Sequence, residues 1–111
     1  MCQVLDYSQT DLEHAFCFSG KTDEECSLVC PTELVPRNTT AREDGWRAFR
    51  LQGVLDFSLI GVLARIADLL AREGIAIFAL STYNTDYILM KEARFSDALD
   101  ILTRAGYEIL T

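Results

Sequence analysis

The sequence has no hydrophobic run near the roughly 20 apolar residues that a helical membrane span requires. Its first residues, MCQVLDYSQTDLEH, lack the basic start and apolar stretch of a secretory leader. A cytoplasmic protein without a membrane partner is the expectation. Basic residues are in short supply: 10 Lys and Arg stand against 17 Asp and Glu, a formal net charge of −7. That balance repels phosphate backbones and anionic lipid. The basic concentration at Arg37, Arg42, Arg47 and Arg50 is interrupted by Glu43 and Asp44. The apolar run at 75–80 offers only Phe78 for base stacking, so nucleic acid is not an expected partner.

Catalytic groups are scarce too. The single histidine, His14, lies in an irregular stretch without a Ser or Cys nucleophile motif around it. Gly53 and Gly61 are isolated, so no glycine-rich loop cradles a phosphate. Carboxylates are plentiful, but Glu24–Glu25 and Glu43–Asp44 read as solvated surface. The expectation is a protein that is not an enzyme and holds no cofactor. The four cysteines, Cys2, Cys17, Cys26 and Cys30, all fall in the first third. ECSLVC reads as a strand, which spaces Cys26 and Cys30 about 13 Å apart on one face at roughly 3.3 Å per residue. A zinc knuckle needs a turn there instead. The cysteines therefore read as small buried hydrophobes, and a disulfide is disfavoured in a cytoplasmic setting.

Apolar residues are abundant, at 50% of the chain, so a packed core is expected. Between Trp46 and Leu110 their periodicity switches repeatedly between two and 3.6. WRAFRLQGVL reads as a strand. Leu59, Val62, Leu63, Ile66, Leu69 and Leu70 then follow the spacing of a helix with one buried face. Ser58 is its expected N-cap and Gly74 its C-terminal stop. Residues 75–80 read as a buried central strand and residues 83–86 as a polar turn. Tyr87 to Met90 returns as the antiparallel partner. Phe95, Ala98, Leu99 and Leu102 mark a second helix, Gly106 ends it, and residues 107–110 read as a last strand. Two helices on one face of a four-stranded antiparallel sheet make an α+β, ferredoxin-like βαββαβ fold.

The first third is organised differently. Residues 2–5 read as a strand and FCFSGKTDEECSLVCP as a hairpin bending at Gly20, Lys21, Thr22 and Asp23. SQTDLEHAF is too short and polar for a substantial helix. TELVPRNTTAREDG reads as a break in regular structure. This third supplies strands without an amphipathic helix, so their edges and one face need a partner.

The strings CPTELVP, GWRAFRLQGVLDFSLIGVLARIADLLAREGIAIFALSTYNTDYILMKE and FSDALDILTRAGY resemble the small ACT-domain proteins of bacteria and archaea. These are relatives of the ACT modules in the cytosolic arginine sensor; more distantly, STYNTDYILM is similar to the regulatory modules of aspartate kinases. The resemblance implies a duplicated architecture, with residues 1–44 as a degenerate N-terminal ACT-like lobe and residues 45–111 as a complete ACT domain. It implies a non-catalytic regulator that binds an amino acid at the seam between modules and pairs as a homodimer. A pure assembly module with a vestigial ligand site is the alternative.

The residues suit that chemistry. Leu55, Asp56, Phe57, Ser58, Leu59 and Ile60 open a helix whose first N–H groups can receive a carboxylate. Asp56 can accept from an ammonium, or cap the helix. Gly61, costing roughly 1 kcal/mol against alanine inside a helix, suggests close packing or ligand approach. Thr82, Tyr83, Asn84, Thr85 and Asp86 bring hydroxyl, amide and carboxylate groups to the other side, with Ser81 beside them. Asn84 and Asp86 are also ordinary turn formers, and Tyr83 and Tyr87 read as core or interface aromatics.

Overall fold

Three short runs near the N-terminus and a fourth at Thr39–Arg42 pair into one antiparallel sheet. The computed structural model describes residues 1–51 and 61–110. The chain falls into two units, Met1–Asp44 and Gly45–Thr111. In the first, β1 (Cys2–Val4), β2 (Phe18–Lys21), β3 (Cys26–Val29) and β4 (Thr39–Arg42) lie in the order β2-β3-β1-β4. That is the strand order of a ferredoxin-like module. The segments that would hold its helices are turns, plus one 3-10 turn at Thr32–Leu34. Cys2, Val4 and Leu28 form the core, with Tyr7, Cys17, Cys26, Cys30 and Val35 packed against them. The Tyr7 hydroxyl donates to the Ser27 carbonyl at 2.8 Å, and burial raises its pKa above the ordinary phenol value.

The hairpin expected from FCFSGKTDEECSLVCP is present. The Thr22 N–H donates to the Glu25 carbonyl at 2.9 Å, and the Thr22 hydroxyl accepts from the N–H groups of Glu24 and Glu25. The stretch read as irregular, TELVPRNTTAREDG, differs: it contains β4. Pro36 and Asn38 obscure the two β-branched threonines, and β1 offers them a second edge. The Thr40 hydroxyl donates to the Gln3 carbonyl at 3.2 Å, and the Glu43 N–H to the Met1 carbonyl at 2.8 Å.

The second unit runs β5 (Trp46–Arg50), α1 (Val62–Arg72), β6 (Phe78–Ser81), β7 (Asp86–Lys91) and α2 (Phe95–Arg104), with a 3-10 turn at Glu92–Arg94. Its sheet has the order β5-β7-β6. Ile66 and Leu70 of α1 and Ala98 and Leu102 of α2 bury against Ile75, Ile88 and Met90. The predicted helical stripes therefore meet the sheet as the spacing requires. This is a ferredoxin-like α+β arrangement.

Both helices end as expected. Gly74 and Gly106 have φ of 71° and 100°. The Ile75 N–H donates to the Leu70 carbonyl and the Tyr107 N–H to the Leu102 carbonyl, each at 3.0 Å. These bonds satisfy carbonyls that a helix end otherwise leaves free. Arg94 adds to them, its guanidinium donating to the Glu73 carbonyl at 3.1 Å.

Three expectations are corrected. First, α1 begins at Val62 with Gly61 as N-cap; Ser58, the expected cap, lies outside the described residues. Gly61 has φ 85°, and a Cβ there would meet none of the described residues within 4 Å. The positive φ is by itself a reason for glycine at this position. Second, residues 75–80 are not a central strand. Ile75 gives its N–H to the end of α1, β6 starts only at Phe78 on the sheet edge, and β7 is central. Third, residues 107–110 form no strand, because Tyr107 is spent on ending α2; the described sheet has three strands and β5 has an open edge. Trp46, Ala48 and Phe78 are half-buried. Trp46 and Phe78 meet edge-on at 4.6 Å between centroids, and the Lys91 ammonium sits 4.7 Å from the Trp46 ring.

Candidate functional site

The Thr82–Thr85 turn joins β6 to β7 and is held by its own side chains. The Thr82 N–H donates to the Thr85 carbonyl at 2.8 Å and the Thr82 hydroxyl to the same oxygen at 3.1 Å. The Thr85 N–H returns a bond of 3.3 Å to the Thr82 hydroxyl. Beside the turn, the Ser81 hydroxyl donates to the Asp86 carboxylate at 2.6 Å. Asp86 is thus occupied at one oxygen by a strand partner.

Thr85 also reaches across the sheet. Its side chain is in a residue only 8% exposed, and its hydroxyl donates to the Leu51 carbonyl at 2.8 Å. The Leu51 N–H donates to the Asp86 carbonyl at 3.1 Å. Leu51 is the last described residue before the 52–60 stretch. The turn is therefore tied to the start of the stretch that contains the other half of the expected site. Leu55, Asp56, Phe57, Ser58, Leu59 and Ile60 themselves lie outside the described residues.

On the far side of that stretch, the N-cap of α1 is Gly61, which offers no side-chain cap. Its first N–H groups have no intrahelical acceptor, which is the usual condition for holding an anion. A groove of about 930 Å³ runs between these points, lined by Leu51, Val62, Arg47, Arg50, Tyr107 and Glu108 among others. Arg47 stacks its guanidinium 4.1 Å from the Phe95 ring centroid. Arg50 and Glu108 supply charge of both signs beside an apolar wall. The sequence marks neither as a site residue, because only the pairing of β5 and the end of α2 bring them to one groove.

Within the turn only Thr85 is buried, whereas Thr82 and Asn84 are exposed and Tyr83 is 87% exposed. Tyr83 is therefore not a core aromatic. Tyr87 is half-buried on β7. Replacing Thr85 by valine keeps the shape and removes the donor to Leu51. We expect a loss of about 1–2 kcal/mol, read as a lower urea midpoint, with Thr85→Ser retaining most of the stability. An unchanged midpoint in Thr85→Val would show that the bond does not hold the turn.

A family model described as the ACT domain matches residues 41–104. The chain is 34% identical over 83 residues to the cytosolic arginine sensor for mTORC1 subunit 1 of Rattus norvegicus, covering 74% of this chain and 24% of that protein. The Homo sapiens counterpart is 31% identical over the same length, with 25% of it covered. The chain thus spans about a quarter of the length of these curated relatives. A crystal structure of a structural-genomics target protein from Agobacterium tumefaciens is 28% identical, with a TM-score of 0.80. The match covers 97% of this chain and 83% of that one.

Proposed function

Because the chain belongs to the ACT domain family, we propose that it is a non-catalytic regulatory module that binds an amino acid. Similarity to the ACT domain and to an arginine sensor supports a regulatory ligand-binding module in general. The relatives' name makes arginine the first candidate, and a net charge of −7 suits a cationic ligand. The observation that supports the reading is the Thr85–Leu51 bond, which ties the 82–86 turn to the last described residue before the 52–60 stretch.

In this reading the ligand carboxylate lies at the uncapped start of α1, and Asp56 accepts from the ammonium. Leu55, Phe57, Ser58, Leu59 and Ile60 complete the loop around it. Thr82, Tyr83, Asn84, Thr85 and Asp86 form the opposite side, with exposed Asn84 and Tyr83 best placed to meet a ligand. The seam is made with an ACT module of a second copy, in a cytoplasmic twofold dimer. The exposed ring of Tyr83 and the open edge of β5 support such a contact. Residues 1–44 are a degenerate ACT lobe in this reading, supported by their β2-β3-β1-β4 order without helices.

Thermal unfolding with each standard amino acid tests the proposal. Arginine at about 100 times its dissociation constant should add about 2.7 kcal/mol of stability. Light scattering on the same samples should report a dimer. A dimer that no amino acid stabilises is the result expected of an assembly module with a vestigial site, and would overturn the ligand reading.

A further inference from the structure

The register of the first hairpin sets two thiols opposite each other. β2 and β3 pair with Lys21 opposite Cys26 and Phe18 opposite Val29. Continued one step beyond the last paired residues, Phe18 and Val29, the same register would set Cys17 opposite Cys30. The bond from the Thr22 N–H to the Glu25 carbonyl fixes the phase of this ladder. It makes Phe18 and Val29 a hydrogen-bonded pair and the cysteines a non-hydrogen-bonded one. In such pairs the Cα atoms lie about 4.5 Å apart and the side chains approach most closely. A disulfide spans Cα separations of about 4.4–6.8 Å.

The surroundings agree with this placement. Both residues are half-buried and pack on the cluster of Cys2, Val4 and Leu28. Burial raises both thiols above their ordinary pKa, and Cys30 also feels Cys2 and Cys17 as neighbours. Cys2 is opposite Leu28, which puts it diagonal to Cys30 rather than facing it. Cys26 is opposite Val4 in one ladder and Lys21 in the other, so it faces no thiol. All four thiols are free in this structure. Among the described residues no group of three or more His, Cys, Asp or Glu is placed to hold a metal ion.

We propose that Cys17 and Cys30 form a reversible cross-strand disulfide by exchange with a low-molecular-weight disulfide such as oxidised glutathione. One cysteine loses its proton to water, and its thiolate attacks a sulfur of the oxidised glutathione. The glutathione S–S bond breaks, and the departing thiolate takes up a proton. The second cysteine, deprotonated in turn, attacks the protein sulfur of the mixed disulfide and expels the second glutathione. Two protein thiols lose two electrons and two protons, and one glutathione disulfide becomes two thiols. The bond closes the open end of the hairpin, opposite its Thr22–Glu25 turn. This site lies apart from the amino-acid site and stands or falls independently of it.

The test uses the folded, reduced chain incubated with oxidised glutathione, alkylated and digested with trypsin. Cleavage after Lys21 leaves Cys2 and Cys17 on one peptide and Cys26 and Cys30 on the next. Fragmentation of the linked peptides then identifies the bond. The expected result is loss of two of the four alkylatable thiols, a Cys17–Cys30 link, and full recovery with dithiothreitol. Cys17→Ser should lose the link and accumulate glutathione on Cys30, while Cys26→Ala should keep it. A link through Cys2 or Cys26, a persistent glutathione adduct on the wild-type chain, or no loss of thiols would overturn the proposal.

Discussion

Asp56→Ala is expected to weaken amino-acid binding by about two to three and a half powers of ten while leaving the melting temperature of the unliganded protein nearly unchanged. An ammonium left buried without its carboxylate costs roughly 3–5 kcal/mol, and each 1.4 kcal/mol is about tenfold in affinity. A residue that merely capped a helix would show the reverse pattern. Losing a cap costs about 1 kcal/mol of stability and has no direct effect on a ligand. The N-cap of α1 is Gly61, so this substitution takes no cap from α1. Calorimetric titration of wild type and Asp56→Ala with the best-binding amino acid separates the two roles. Equal affinities would remove Asp56 from the site.

Leu70→Ala is the second substitution with a large expected effect, about 3–5 kcal/mol of stability. Leu70 is 0% exposed and lies in the core formed with Ile66, Ile75, Ile88, Met90, Ala98 and Leu102. Its truncation loses apolar transfer energy and leaves a cavity between α1 and the sheet. The end of α1 is held through the Leu70 main-chain carbonyl, which alanine keeps, so the effect reports packing alone. Against a total of roughly 5–15 kcal/mol for an ordinary domain, such a loss should partly unfold the protein at 37 °C. Leu69, only partly buried, should cost clearly less when replaced by alanine. Urea unfolding measures both; a midpoint shift for Leu70→Ala no larger than that for Leu69→Ala would contradict this core.

Much of the second unit could be read from its residues. The stripes of α1 and α2 and the stops at Gly74 and Gly106 are local signals. Helical spacing needs only neighbouring residues, and a positive φ after a helix favours glycine whatever surrounds it. Strands are less legible in the sequence for a physical reason. Residues 75–77 and 107–110 have strand-like composition, but Ile75 and Tyr107 give their N–H groups to helix ends. That choice depends on where each helix stops, and composition does not record it. Thr39–Arg42 erred in the opposite direction, because an available edge on β1 turned a stretch marked by Pro36 and Asn38 into a strand.

The candidate site divides along the same line. Residue types marked 82–86 as a turn, since Thr, Asn and Asp form turns through their own side chains; the family resemblance made that turn a candidate site. The bond from Thr85 to Leu51 spans 34 positions and depends on β5 and β7 lying side by side. Arg50 and Glu108 share a groove for a similar reason. The sequence by itself determined the ferredoxin-like order of elements, the acidic charge and the buried helical faces, because each rests on short-range periodicity or simple counting. The tertiary structure alone decided that β7 is the central strand among the described residues, and it set the β2–β3 register that leads on to Cys17 and Cys30. Strand pairing is a long-range choice of register, and a shift of one residue would turn each side chain to the other face.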